Sequence, residues 1–411
     1  MKSKSEVVST LGRPLCICDS TLRGGEQAAG VVFSNIEKYR IAQLLDQMGV
    51  PQIEAGIPML GAEEKKAVRH IARMGLKASV VAWNRAEISD IDNSLECDVD
   101  SVVISMPASA SLITNSLKKD GSWVLDKIYE TVAYAAEHGL YVICSAEDAA
   151  RADLGYLIEF AKTAKDAGAD RFRYCDSIGV SEPFDCYDRM KMLRQIIGMG
   201  LEFEAANDFG LATANTLAAV KAGAGFACTT IGGLGERSGF APTEEVAMGA
   251  RHMLNVDAGL DLTKLPLVAK SVSAASGRAI PESKPMLGSA VFSQESGVHA
   301  DGSSDDAYEP EEVGLKRDVV IGKHSVRNTV IAAMAGLGID ISREDADKLL
   351  SMARRTSVIN NRSVSGEELF LLYNDMMAGV DLFDEEEYVP APAEPAPAPE
   401  APVEPEQQPQ Q

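Results

Sequence analysis

Eight times between Leu15 and Leu254, a short apolar segment is followed by an amphipathic one. The apolar segments read as strands at Leu15–Asp19, Gln52–Gly56, Ala78–Trp83, Val99–Met106, Tyr141–Ala146, Arg171–Cys175, Glu202–Ala206 and Phe226–Ile231. Helical periodicity follows each, at about Ser34–Met48, Ala62–Met74, Ala86–Leu95, Trp123–His138, Leu154–Ala167, Asp185–Ile197, Ala212–Ala222 and Thr243–Leu254. Strands that alternate with helices are parallel, and eight such units is the number that closes a (β/α)8 TIM barrel. An open doubly wound sheet is the alternative, but no G-x-G-x-x-G follows the first strand.

In a barrel of this kind function sits on the loops after the strands. Those positions carry Asp19 and Arg23, Glu54, Arg85, Glu147 and Asp148, Asp176 and Ser177, Glu204–Asp208 and Gly232–Arg237. The seventh strand sends Glu204 and Ala206 to one side, two residues apart. Several arginines aimed at one cavity would suit a di- or tricarboxylate, because a guanidinium fork grips a carboxylate at two points. Paired with Glu54, Glu147, Asp148 and Asp176, the same arginines would instead make structural ion pairs. Spacing alone leaves both readings open. Gly232–Gly239 is glycine-rich where barrels often hold phosphate, though glycine there also serves a tight turn.

The alternation sets the expected organisation: an N-terminal extension at 1–14, the barrel at 15–257, a mixed segment at 258–330, a helical region at 331–388, and a tail at 389–411. Helices are expected at about 327–336 and 343–377. The tail holds eight prolines between residues 390 and 411, a composition that cannot bury a core, and is expected to be disordered. Residues 381–411 carry nine acidic groups and no basic ones, so the preceding chain carries −13 of the net charge of −22. That balance argues against a nucleic-acid face. No apolar run approaches the roughly 20 residues needed to span a membrane. The seven cysteines are scattered and odd in number, which suggests reduced, buried thiols in a cytoplasmic protein. Of five histidines, His299 and His324 lie in glycine-flanked, loop-like segments, and no clustered Cys/His set suggests zinc.

Asp19-Ser-Thr-Leu-Arg-Gly-Gly-Glu-Gln27, Glu54-Ala-Gly-Ile-Pro58, Trp83-Asn-Arg-Ala86, Ser145-Ala-Glu-Asp148 and Arg173-Tyr-Cys-Asp-Ser-Ile-Gly179 resemble the homocitrate synthase and isopropylmalate synthase family. Asn207–Asn215, Gly235-Glu-Arg237, Glu295-Ser-Gly-Val-His299 and Gly322-Lys-His-Ser325 extend the likeness over roughly residues 15–378, in the same order. It is most similar to the form associated with nitrogen fixation. The resemblance implies a barrel with a C-terminal extension that crosses to a partner subunit. It also implies condensation of an acyl-CoA such as acetyl-CoA with a 2-oxo acid such as 2-oxoglutarate, on a divalent metal.

The family's metal ligands are an acidic residue after the motif arginine, two histidines ending the seventh strand, and often an asparagine after the eighth. Gly24, Glu204, Ala206 and Gly232 stand at those positions here, with Phe240 and Gln294 replacing an expected asparagine and histidine nearby. The expectation is therefore no bound cofactor or metal. By resemblance, Gln27, Glu54, Arg85, Arg151, Ser177 and Arg237 would contact an organic acid. Arg23 would be catalytic, and His299 and Tyr308 would reach a neighbouring subunit's site. Glu204 is expected to pair with Arg23. Three functions follow as expectations. The chain is an auxiliary homologue, as a homodimer or a hetero-oligomer with an active paralogue; or a metal-independent acyltransferase with Glu204 as base; or a scaffold that uses its acidic tail.

Overall fold

The structure is a computed structural model and describes residues 1–295 and 306–380. The described residues form two compact units, 1–293 with 306–318, and 294–295 with 319–380. The first is a closed barrel of eight parallel strands in chain order. Its strands are β1 (Cys16–Asp19), β2 (Gln52–Gly56), β3 (Ser79–Arg85), β4 (Ser101–Pro107), β5 (Tyr141–Glu147), β6 (Arg171–Asp176), β7 (Gly200–Ala205) and β8 (Phe226–Thr229). Closure comes from β1 pairing with β8, with Cys18 opposite Cys228.

Each strand is buried along nearly its whole length, because helices cover one face and the barrel interior encloses the other. The helical ring begins with α1 (Lys4–Thr10), α2 (Asn35–Met48), α3 (Ala62–Ala72), α4 (Ile88–Leu95) and α5 (Gly121–Glu137). It continues with α6 (Leu154–Asp166), α7 (Pro183–Ile197), α8 (Ala212–Lys221) and α9 (Thr243–Leu254). The starts follow local chemistry. Ser34 caps α2 and forms a reciprocal capping box with Glu37, and Gly49 ends that helix at φ 89°. Asp120 and Asp153 cap α5 and α6.

Three regions differ from the sequence reading. Residues 1–14, expected as a plain extension, contain α1, whose Val7 and the following Leu11 pack with Cys16, Val81, Val103 and Ile143. The stretch after Asp257, expected to be mixed, contains α10 (Leu265–Ser276). Its Leu265, Val268, Ala269 and Val272 make one buried stripe at helical spacing, and Pro266 falls at the helix start, where its missing N–H costs nothing. The helix expected over 343–377 is two, α12 (Arg343–Asn360) and α13 (Gly366–Met377), because Asn361 turns left-handed and Ser365 starts a new capping box. With α11 (Arg327–Gly336) they build the second unit around Val330, Met334, Leu349, Ala353 and Leu369. The tail at 389–411 lies outside the described residues. No helix among the described residues is long and apolar enough to cross a membrane.

Candidate functional site: a charged network inside the barrel

Side chains two apart on a strand share a face, so four strands deliver charge or polarity inward in pairs. These are Gln52 and Glu54 on β2, Arg171 and Arg173 on β6, Glu202 and Glu204 on β7, and Cys16 and Cys18 on β1. Arg23 joins them from a π-helical turn, Thr21–Gly25, that follows β1. The three glutamates and three arginines are all buried. Buried ions persist only when paired and hydrogen-bonded, and here the numbers of each sign match.

Arg173 is the centre. Its Nη1 donates to Glu204 Oε2 at 2.8 Å, and its Nη2 to Glu202 Oε1 at 3.0 Å and to Glu54 Oε1. Arg23 approaches from above, with Nε donating to Glu54 Oε2 at 2.7 Å and Nη1 to Gln27 Oε1 at 3.2 Å. Glu204 does meet Arg23, at 3.5 Å, but Arg173 holds it more closely. Below, Arg171 Nε lies 3.0 Å from Glu202 Oε2, out of hydrogen-bond alignment. Its guanidinium instead rests over the Phe226 ring, 4.2 Å from the centroid. Burial pushes the Glu54 carboxyl up, but Arg173 and Arg23 outweigh burial and hold it down at about 2. Burial disfavours charge on Arg173 and Arg23, yet the surrounding anions keep both above the usual arginine range. Asp19, just outside the network, is pushed up to about 6 by burial despite hydrogen bonds from Thr21 and Thr243.

The remaining arginines at strand ends are also answered from within the chain. Arg85 forks onto Asp90 through two 2.9 Å bonds, and Arg151 onto Asp148 with a closest contact of 2.6 Å. Arg237, at φ 54°, holds Asp208 at 2.8 Å and donates to the Ser177 carbonyl at 2.6 Å. Ser177 Oγ accepts the Asp148 N–H at 2.8 Å and donates to Cys175 Sγ at 3.3 Å. Arg23, Glu54 and Glu204 are thus brought together with Gln27, while Arg85, Arg151 and Arg237 each close on a local acid. Tyr308 packs edge-on against Phe292, with centroids 5.4 Å apart. His299 lies outside the described residues. The lower charged layer, Arg171, Glu202 and Gln52, was not singled out from sequence. Its signal was the charge alternation Arg171-Phe-Arg173 and Glu202-Phe-Glu204 within apolar strands.

A divalent cation does not fit what stands here. Gly24 and Ala206 offer no side-chain donor, and the carboxylate of Glu204 is turned onto guanidinium. The Phe240 ring fills the space beside Gly24: a Cβ on Gly24 would lie 3.1 Å from Phe240 Cε2 and 2.8 Å from Ser20 Oγ. Gly235 makes room on the other side, where a Cβ would lie 2.3 Å from the same ring. Among the described residues no group of three or more His, Cys, Asp or Glu is placed to hold a metal.

The closed parallel barrel belongs to the HMGL-like class of TIM barrels, whose family profile matches residues 15–272. A second profile, homocitrate synthase post-HMGL domain-like, matches 286–360. The chain belongs to the homocitrate synthase and isopropylmalate synthase family. It is 46% identical to a 2-isopropylmalate synthase of Caldanaerobacter subterraneus, over 89% of this chain and 96% of that protein. It is 43% identical to a homocitrate synthase of a Nostoc species, over 87% and 97% of the two chains. A 2-phosphonomethylmalate synthase of Streptomyces rubellomurinus is 37% identical over 89% of this chain and 99% of that one. The fold also matches the HMG-CoA lyase of Bacillus subtilis at TM-score 0.59 and 19% identity, over 65% of this chain and 95% of that one.

Proposed function

We propose that this chain is an auxiliary member of the acyl-CoA and 2-oxo acid condensing family, one whose own barrel does not carry out metal-dependent condensation. The observation behind this reading is the Glu204 carboxylate lying between Arg173 and Arg23. Condensation on a metal needs a Lewis acid to polarise the 2-oxo group and free cations to receive the acid. In this barrel the central cations are neutralised by the chain's own glutamates, and the donors that would hold a metal are glycine and alanine. The chain would act beside an active synthase subunit in a hetero-oligomer, to which it would lend His299 and Tyr308.

Thiol release from acetyl-CoA tests the first part, with 2-oxoglutarate and a panel of other 2-oxo acids, with added Mg²⁺, Mn²⁺ or Zn²⁺ and with chelator. No release above background is expected under any condition. Metal-stimulated release overturns the proposal, and chelator-insensitive release favours an altered mechanism with Glu204 as base. Affinity purification from the native cell tests the partner, and recovery of an active paralogue is the expected result. Recovery of the chain alone, as a homodimer with no bound acid, counts against an auxiliary role.

A further inference from the structure

A cavity lies outside the barrel interior, lined by the turn after β8 and by α10. It encloses about 100 Å³. Ala269 and Val272 of α10, with Leu234, Ile280 and Leu287, give it an apolar wall, and Gly232 lies in its lining without a side chain. The wall residues Ala269 and Val272 are buried while Arg278 at the rim is exposed, so the cavity is reached from the surface beside that arginine.

The polar groups around the cavity are mostly spent. Ser273 Oγ donates to the Arg278 carbonyl at 2.7 Å, and Ser276 Oγ donates to the Ser273 carbonyl at 3.3 Å. Lys284 is neutralised by Glu245 at 2.6 Å. Arg278 differs. Its guanidinium bonds one backbone carbonyl, that of Ala29 at 2.8 Å, and has no carboxylate partner among the described residues. Unlike the arginines at the barrel mouth, which all fork onto acids, Arg278 keeps guanidinium donors free beside an apolar cavity.

We infer that this cavity binds a short aliphatic monocarboxylate, its chain in the apolar slot and its carboxylate on Arg278. A dry apolar cavity of ~150 Å³ takes a six-carbon ring, so a volume near 100 Å³ suits about four carbons. A planar guanidinium with free donors prefers a carboxylate to a neutral amide. The site is separate from the charged network and does not depend on whether the barrel catalyses condensation. It is nevertheless linked to the mouth: next to Gly232, the Ile231 N–H donates at 2.9 Å to Thr21, in the same turn as Arg23.

Calorimetric titration of the full-length protein with isovalerate, butyrate, acetate and isovaleramide tests the site. Each carbon moved from water into the slot adds about fourfold in affinity, so isovalerate is expected to bind roughly fiftyfold more tightly than acetate. The amide should bind at least about tenfold more weakly than the acid. Val272→Phe, which fills the cavity, should abolish binding. The exposed Arg278→Gln, which leaves the core untouched, should erase the preference for acid over amide. Absence of binding by every monocarboxylate overturns the inference. So does binding that survives both variants but is lost in Arg237→Gln, which would locate the ligand at the barrel mouth. Either failure leaves the thiol-release result, and the reading of the barrel, unaffected.

Discussion

Arg173 on β6 and Glu204 on β7 lie 2.8 Å apart in the barrel interior, although strand register sets Glu204 opposite Cys175. The pair is therefore diagonal, offset by two residues along the strand. The same guanidinium also holds Glu54 and Glu202. Removing one partner of a buried ion pair leaves a charge without compensation, which costs about 3–5 kcal/mol. Glu204→Gln is expected to destabilise the protein by about 3 kcal/mol, because Arg173 keeps two other carboxylates. Arg173→Met, which strands three, should cost more than Glu204→Gln. Urea denaturation measures both, and equal midpoints for wild type and Glu204→Gln would show that the pair adds nothing to stability.

Stability should also depend on pH through Glu244. This residue is fully buried, accepts the Gly232 N–H at 3.1 Å through one oxygen, and is pushed up to about 7 by burial. Its folded value lies above the unfolded one of about 4.3, so the folded state holds the proton more tightly. The stabilisation is complete below about pH 4.3 and is lost as pH rises through about 7. Asp19, at about 6, acts in the same direction. Glu54, held at about 2, acts oppositely, and its contribution is lost only as pH falls toward that value. Melting temperature should therefore fall from pH 5 to pH 8. Glu244→Gln should remove roughly 3 kcal/mol of the stability lost between pH 5 and pH 8, and an unchanged loss would exclude Glu244 as its source.

Metal binding should not return with ligands alone. Gly24→Asp, Glu204→His and Ala206→His supply three donors, but a Cβ at position 24 meets the Phe240 ring at 3.1 Å. The triple variant is expected to purify without stoichiometric metal. The quadruple variant with Phe240→Asn should bind one divalent ion. Elemental analysis after dialysis reads the difference, and full metal occupancy in the triple variant would show that Phe240 is no obstacle.

The helical ring offers a control outside the charge network. Ser34 accepts the Glu37 N–H, and Glu37 Oε2 accepts the Ser34 N–H at 2.7 Å. Ser34→Ala should lower stability by about 1 kcal/mol without changing any ligand or metal measurement. A loss several times larger would mean that α2 contributes through more than its cap.

The barrel was legible in the sequence because its signal is local. Strand period, helix period and caps such as Ser34 all act within a few residues. The charged network was less legible because its pairing is not local. Arg173 and Glu54 are 119 positions apart and meet only once the barrel closes, so spacing cannot say whether the arginines face a ligand or the chain's own acids. Arg171 and Glu202 are hidden by their neighbours, since a charge beside Phe172 or Phe203 at the start of a buried strand looks like an outward-facing residue. α10 was missed because Pro281 and Pro285 made the surrounding stretch look irregular, although Leu265, Val268 and Val272 kept helical spacing.

The contact between Phe240 and the space beside Gly24 also bears on how such a chain can change over time. With the ring in place, a side chain at position 24 requires Phe240 to give by a few tenths of an ångström and Ser20 Oγ to move. With the acid absent, trimming the ring would only open a hole. Neither step is favourable by itself, so the two positions hold each other where they are.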